Sequence, residues 1–219
     1  VLEGARIEIE AHFGGRSDLA ANCAALEAEL LYEQDRTDEA NALLAWAIPH
    51  MEQSDGWVDV YAAAYFTAAR GAADGGEMDA ARALLERAGS VARRRRLRQL
   101  ELLAGLCELD LLLRHGGALG EARALAAELK LDALADSMAE ESPRYRPVAV
   151  AAALCRVRLS LLSGDSHTAL DELVVMARWA RQHGAGRLLI DLNLLKAHGY
   201  RAIGEPGRAQ GCFDEAVSM

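Results

Sequence analysis

Apolar residues recur along this chain at helical rather than strand spacing. Leu19, Cys23, Leu26 and Leu30 fall at i, i+4, i+7 and i+11, one face of a helix. Comparable stripes follow at Tyr61, Tyr65, Ala68 and Ala72, then at Leu102, Leu106, Leu109 and Leu113. A fourth runs through Val148, Ala152, Cys155, Leu159 and Leu162, and a fifth through Leu188, Leu192, Leu195 and Ile203. Between stripes a short frame repeats: a glycine stops one helix, and an alanine opens the next five residues later. Gly76 to Ala81, Gly117 to Ala122, Gly164 to Ala169 and Gly204 to Ala209 are copies, and Asp35 to Ala40 is a copy with aspartate for glycine. The anchor alanines Ala40, Ala81, Ala122, Ala169 and Ala209 stand 41, 41, 47 and 40 residues apart. A period of that size predicts an all-α fold, a right-handed superhelix (α-solenoid) of about five helical hairpins.

The pattern sets boundaries. Hairpins are expected over about 17–55, 56–92, 94–141, 144–183 and 184–219 of one repeat domain covering 1–219, with 1–14 the remnant of a preceding helix. Ser17 and Asp18 offer an N-cap, since a short side-chain oxygen can accept from free N–H groups of the first turn. Pro49 is expected to kink or stop its helix, because it removes a backbone donor, while Pro206 suits a first turn. Leu119 to about Met138 reads as one helix. Ser142 to Pro147 holds two prolines and lengthens the period by about six residues, so it reads as a rigid inserted loop. Insertions in repeat arrays tend to map to one face, often the binding face.

Composition supports helices over sheets. Hydrophobic residues make up 52% of the 219 and aromatics 5%, so the apolar content is mostly Ala and Leu. The formal net charge of −9 disfavours nucleic-acid contact by this segment, since neutralising phosphates calls for a basic balance. Cys23, Cys107, Cys155 and Cys212 are widely spaced in apolar patterns and read as reduced thiols, which suggests a cytoplasmic location. The most apolar runs are broken by Glu101, Glu108, Asp110, Arg156 and Arg158, so no membrane span is expected. The chain starts and stops within helical patterns, as an excised piece of a longer protein would.

Phrases such as Gly76-Glu77-Met78-Asp79-Ala80-Ala81-Arg82-Ala83-Leu84-Leu85 and Gly204-Glu205-Pro206-Gly207-Arg208-Ala209 resemble tetratricopeptide-type repeats. A period near 41 rather than 34 is similar to the MalT-like repeats of large LuxR-type bacterial transcription regulators. The likeness covers about Ser17 to Met219. In that family a P-loop ATPase precedes the repeats and a helix-turn-helix domain follows them. No GxxxxGK[ST] and no recognition-helix unit occur in these residues. What the resemblance implies here is effector sensing and protein docking.

Candidate sites lie where the copies differ. Trp57, Tyr61 and Tyr65 form an i, i+4, i+8 line, either packing against a neighbouring repeat or forming an aromatic wall of a concave groove. Thirteen residues before each anchor alanine stand Glu27, Ala68, Leu109, Arg156 and Lys196. In this column Arg156 and Lys196 are candidates to line a groove for an anionic ligand, since a charge on an apolar face needs a partner or water. Arg144 and Tyr145 join the candidates from the inserted loop. Arg93 to Arg98 is a dense basic run, read as a solvated surface or a docking patch for an acidic partner. His115 and His183 precede glycines at helix ends, where a cationic imidazole suits the dipole. No catalytic, metal-binding or cofactor motif stands out. Expected partners are a protein or small effector in the groove and, through the repeat ends, a second copy. A constitutive assembly scaffold is the alternative.

Overall fold

The computed structural model describes residues 2–14, 17–54, 56–116, 119–137 and 146–219. Among them the regular structure is helical throughout, with no strand. The helices are α1 (Leu2–Phe13), α2 (Asp18–Glu33), α3 (Thr37–Met51), α4 (Val58–Asp74), α5 (Met78–Arg95), α6 (Arg98–Arg114), α7 (Leu119–Leu129), α8 (Leu131–Asp136), α9 (Arg146–Leu162), α10 (Ser166–Gln182), α11 (Gly186–Ala202) and α12 (Pro206–Ser218). They gather into two compact units, Val1–His115 and Gly116–Met219. The division falls inside the expected hairpin over 94–141.

One joint is used again and again. After α4, Gly76 takes φ +82°; its N–H donates to the Ala73 carbonyl at 2.9 Å, and the Glu77 N–H reaches back to Ala72 at 2.8 Å. This is the Schellman pattern, which satisfies the last carbonyls of a helix. The same 6→1 bond recurs as Arg36 to Leu31, Leu97 to Ala92, Asp165 to Ser160, Ala185 to Ala180 and Glu205 to Tyr200, at 2.8–2.9 Å. In each case the donor is also the N-cap of the next helix, with ψ between 53° and 72°. One geometry therefore ends a helix and starts its partner. The aspartate of the degenerate copy, Asp35, adopts φ +60°, and Arg96 adopts φ +58°. Gly116, rather than Gly117, carries the positive φ after α6; Gly117 and Ala118 lie outside the described residues.

In the first unit α2, α4 and α6 pack side by side, and α3 and α5 each pack against two of their neighbours. Alanine makes this possible. Ala20, Ala21, Ala24, Ala25 and Ala28 are completely buried, whereas Leu19 and Leu30 of the predicted leucine stripe are 45% and 48% exposed. The stripe is thus rotated from the expected one, because α2 lies among α1, α3 and α4 and small side chains let the backbones approach. They also lose almost no rotamer entropy on burial. Anchor residues Ala40, Ala81, Ala122 and Ala169 are buried, and Ala209 is half-buried.

Two expectations are corrected locally. Pro49 does not stop α3 at once; the helix runs two residues further, to Met51. The single helix expected from Leu119 to about Met138 is broken at Lys130, which takes φ +55°. Ala122 and Ala126 of α7, and Leu131 and Ala135 of α8, are buried. A step of five residues from 126 to 131 would point away from that face in a continuous helix, so the left-handed residue restores the phase. Elsewhere in the second unit α9 packs on α7, α8 and α10, and α11 lies between α10 and α12.

The joint is testable. Gly76→Ala is expected to lower stability by about 1–2 kcal/mol, since a Cβ disfavours the left-handed region. Asp35→Gly should leave stability unchanged or raise it. Urea midpoints showing equal losses for both would contradict the role given to the left-handed residue.

Candidate functional site

The second unit holds the arrangement with most chemistry. Arg156 lies midway along α9, between α8 and α10. Its Nε and Nη2 donate to Glu172 Oε1 at 3.0 and 2.6 Å, and its Nη1 donates to Asp136 Oδ1 at 2.7 Å, with the Asp132 carboxylate 3.9 Å away. Burial works against the charge, but the hydrogen bonds to Glu172 and Asp136 outweigh it and hold the guanidinium above its ordinary value. The planar fork suits this several-sided clamp better than a lysine would. Arg156 therefore ties α8 and α10 to α9 and is matched by more than one carboxylate.

A trough of about 630 Å³ runs over α9 between α8 and α10. Its apolar lining is Ala135, Ala153, Val175, Met176 and Trp179; Asp136, Asp171, Glu172 and Arg156 form its polar part. Val175 is 60% exposed although it is a β-branched apolar residue. The Trp179 ring carries the Arg146 guanidinium 5.7 Å from its centroid and stacks with His183 at 4.3 Å. His183 Nδ1 lies 2.9 Å from the Trp179 carbonyl, a hydrogen bond that fixes that ring. A second groove of about 530 Å³, lined by Arg123, Lys130, Leu131 and Leu159, shares Arg156.

The first unit has an open groove of about 690 Å³ between α3 and α5, floored by Ala68, Gly71 and Ala72 of α4. It is the furrow left wherever two such hairpins stack on small residues.

The aromatic line is divided. Trp57 is the N-cap of α4 and 74% exposed, while Tyr61 and Tyr65 are wholly buried. The Tyr61 hydroxyl donates to the carbonyls of Met51 and Ser54, both at 3.0 Å, and the Arg95 guanidinium lies 5.5 Å from its ring centroid. The Tyr65 hydroxyl donates to Glu52, which also pairs with Arg87 at 3.0 Å. These two rings close the turn between α3 and α4 and have no surface to offer a ligand. The expected aromatic wall is corrected to a core latch with one exposed tryptophan beside it.

The column before the anchor alanines also separates. Glu27 is buried and paired with Arg6 at 2.6 Å, Leu109 is core, and Ala68 floors the first-unit furrow. Lys196 is buried on α11 with no hydrogen bond or ion pair among the described residues. Burial, and then the nearby Arg181 charge, push its ammonium below the usual lysine value. Neither Arg156 nor Lys196 stands as a free cation on an open groove. Arg144 and Tyr145 lie outside the described residues. In the basic run, Arg98 pairs with Glu101 and Arg95 donates to the Glu52 carbonyl.

Sequence reasoning singled out Arg156 but not Trp179, Val175, Glu172 or Asp136. A signal existed: Val175 and Trp179 stand four apart on a helix whose other face already carries a complete apolar stripe. Among the described residues no group of three His, Cys, Asp or Glu side chains is placed to hold a metal ion. No helix among them is long and apolar enough to cross a membrane. The chain matches no protein-family model, no curated protein and no solved structure.

Two measurements follow from these placements. Tyr61→Phe should cost about 1 kcal/mol by removing the hydroxyl that ties the Met51 and Ser54 carbonyls to α4, while Trp57→Ala should cost almost nothing. Lys196→Met should stabilise at neutral pH by removing a charge that burial and the nearby Arg181 disfavour. The native lysine binds its proton less tightly than the unfolded one, so wild-type stability gains with pH between its depressed native value and 10.5. The gap in urea midpoint between wild type and Lys196→Met should therefore narrow towards that pH; a constant gap would rule out this account.

Proposed function

We propose that this chain is a non-enzymatic binding module: the sensor region of a LuxR-type transcription regulator, built as a right-handed superhelix of tetratricopeptide-like hairpins and acting in the cytoplasm. Support for the array comes from the single joint geometry repeated at six helix ends, and from the lateral stacking of α2, α4 and α6 within the first unit. Repeat arrays of this kind carry their ligands in furrows between helices. The observation that carries the binding role is the trough over α9, where Val175 and Trp179 bring apolar surface to an otherwise charged rim. Exposed apolar surface rimmed by polar groups is a mark of partner contact.

The matched state of Arg156 favours a protein partner over a small anion, since its guanidinium already faces Glu172, Asp136 and Asp132. Within the parent regulator, occupation of the trough would bias how neighbouring hairpins pack, and that bias is what a distant domain could read. A constitutive scaffold uses the same surface without an effector. Phe213 and Val217, 49% and 72% exposed on α12, give that second reading a place for a further copy or hairpin to stack.

One result tests the regulator assignment and another the architecture. The reading frame around this segment should encode a P-loop ATPase before it and a helix-turn-helix domain after it; other neighbours would remove the regulator assignment. Small-angle scattering should give an elongated, curved particle, and a compact sphere of 23.6 kDa would end the superhelix reading.

A further inference from the structure

The trough over α9 has features that specify what kind of partner it fits. Its walls are helices, so its backbone N–H and C=O groups are taken up internally. An extended peptide laid there would leave its own backbone groups without partners, whereas a helix satisfies them itself. Thr168, Val175 and Trp179 lie along one side of α10, and eleven residues of helix rise about 16 Å, room for roughly three turns of a partner. The volume of about 630 Å³ is enough to receive a few large apolar side chains.

Charge narrows the choice further. Asp136 and Glu172 are engaged by Arg156, and Asp132 lies beyond at 3.9 Å. Asp171 lines the trough as well, exposed and with no ion pair among the described residues. Asp136, Glu172 and Asp171 are the carboxylates that line the trough, and facing these three are the guanidinium of Arg156 and that of Arg146, the latter over the Trp179 ring. The rim is therefore acidic on balance, as is the chain at −9. An acidic peptide, a phosphate or a nucleic acid would be repelled there; a cationic segment would be drawn in, with a dependence on salt.

We infer that the α8–α9–α10 trough docks an amphipathic helix of a partner protein, its apolar side chains against Val175 and Trp179 and its flanking Lys or Arg residues against Asp171 and Asp136. The inference rests on the binding-module reading and names the partner class for that site. Val174 supplies an internal control: it is 45% exposed on the same helix yet does not line the trough.

The test is panning of a phage-displayed library of random 16-residue peptides against the whole protein, followed by fluorescence anisotropy with the enriched peptides. Enriched sequences should carry apolar residues at helical spacing and a net positive charge. Val175→Lys should weaken their binding at least tenfold, and Asp171→Lys several-fold with a shallower salt dependence. Val174→Lys should leave binding unchanged, with circular dichroism showing all three variants folded. Enrichment of acidic peptides, or of peptides without helical spacing, would overturn the inference while leaving a binding module in place. Equal losses for Val174→Lys and Val175→Lys would do the same. A library that yields no binder also overturns the docking trough. The module reading would then stand or fall separately, on the flanking reading frame.

Discussion

The packing of this protein depends on one joint, which turns a helix into the next at six places. A helix end leaves four carbonyls without partners, and here two of them are met by the next two N–H groups of the chain. The left-handed residue closes one bond, the following N–H closes a second, and that same residue caps the next helix. There is no room in such a joint for slack, so the two helices must lie against each other. Their contact then demands small side chains, which is why alanine and not leucine fills the inner face of α2. Joint and alanine face are two sides of one constraint.

Charged groups follow from that packing. Once α8, α9 and α10 are held close, a long side chain in the middle of α9 cannot reach bulk water without passing carboxylates on both neighbours, and Arg156 binds them. Lys196, in the corresponding place on α11, meets no carboxylate at bonding distance and stays buried at a cost in charge. The two residues have the same place relative to their anchor alanines and opposite fates. The difference lies in their neighbours: Glu172 and Asp136 bond Arg156, while near Lys196 the Glu215 carboxylate is paired with Arg181 instead. Binding surface is left over only where apolar residues exceed what the joints and faces consume, as at Val175 and Trp179.

Much of this was legible in the chain itself. Helical period, the glycine-to-alanine frame with aspartate in one copy, and the Ser17 cap all arise from local chemistry, which acts over fewer than ten residues. The break at Lys130 was not legible. Nothing about a lysine asks for a left-handed conformation; the need to bury Ala122, Ala126, Leu131 and Ala135 together does. The aromatic line shows the same limit. Spacing put Trp57, Tyr61 and Tyr65 on one face, but whether that face meets solvent or core is decided by Met51, Ser54 and Glu52, whose groups receive the two hydroxyls.

Apart from the break at Lys130, the sequence by itself thus determined the order of helices and the frame of their joints, because those are set by hydrogen bonds between near neighbours. Tertiary structure alone decided which stripe of each helix is inside, which charges are matched, and that residues from α8, α9 and α10 frame one trough. Such outcomes depend on atoms brought together from 132 to 179, and no local pattern encodes their meeting.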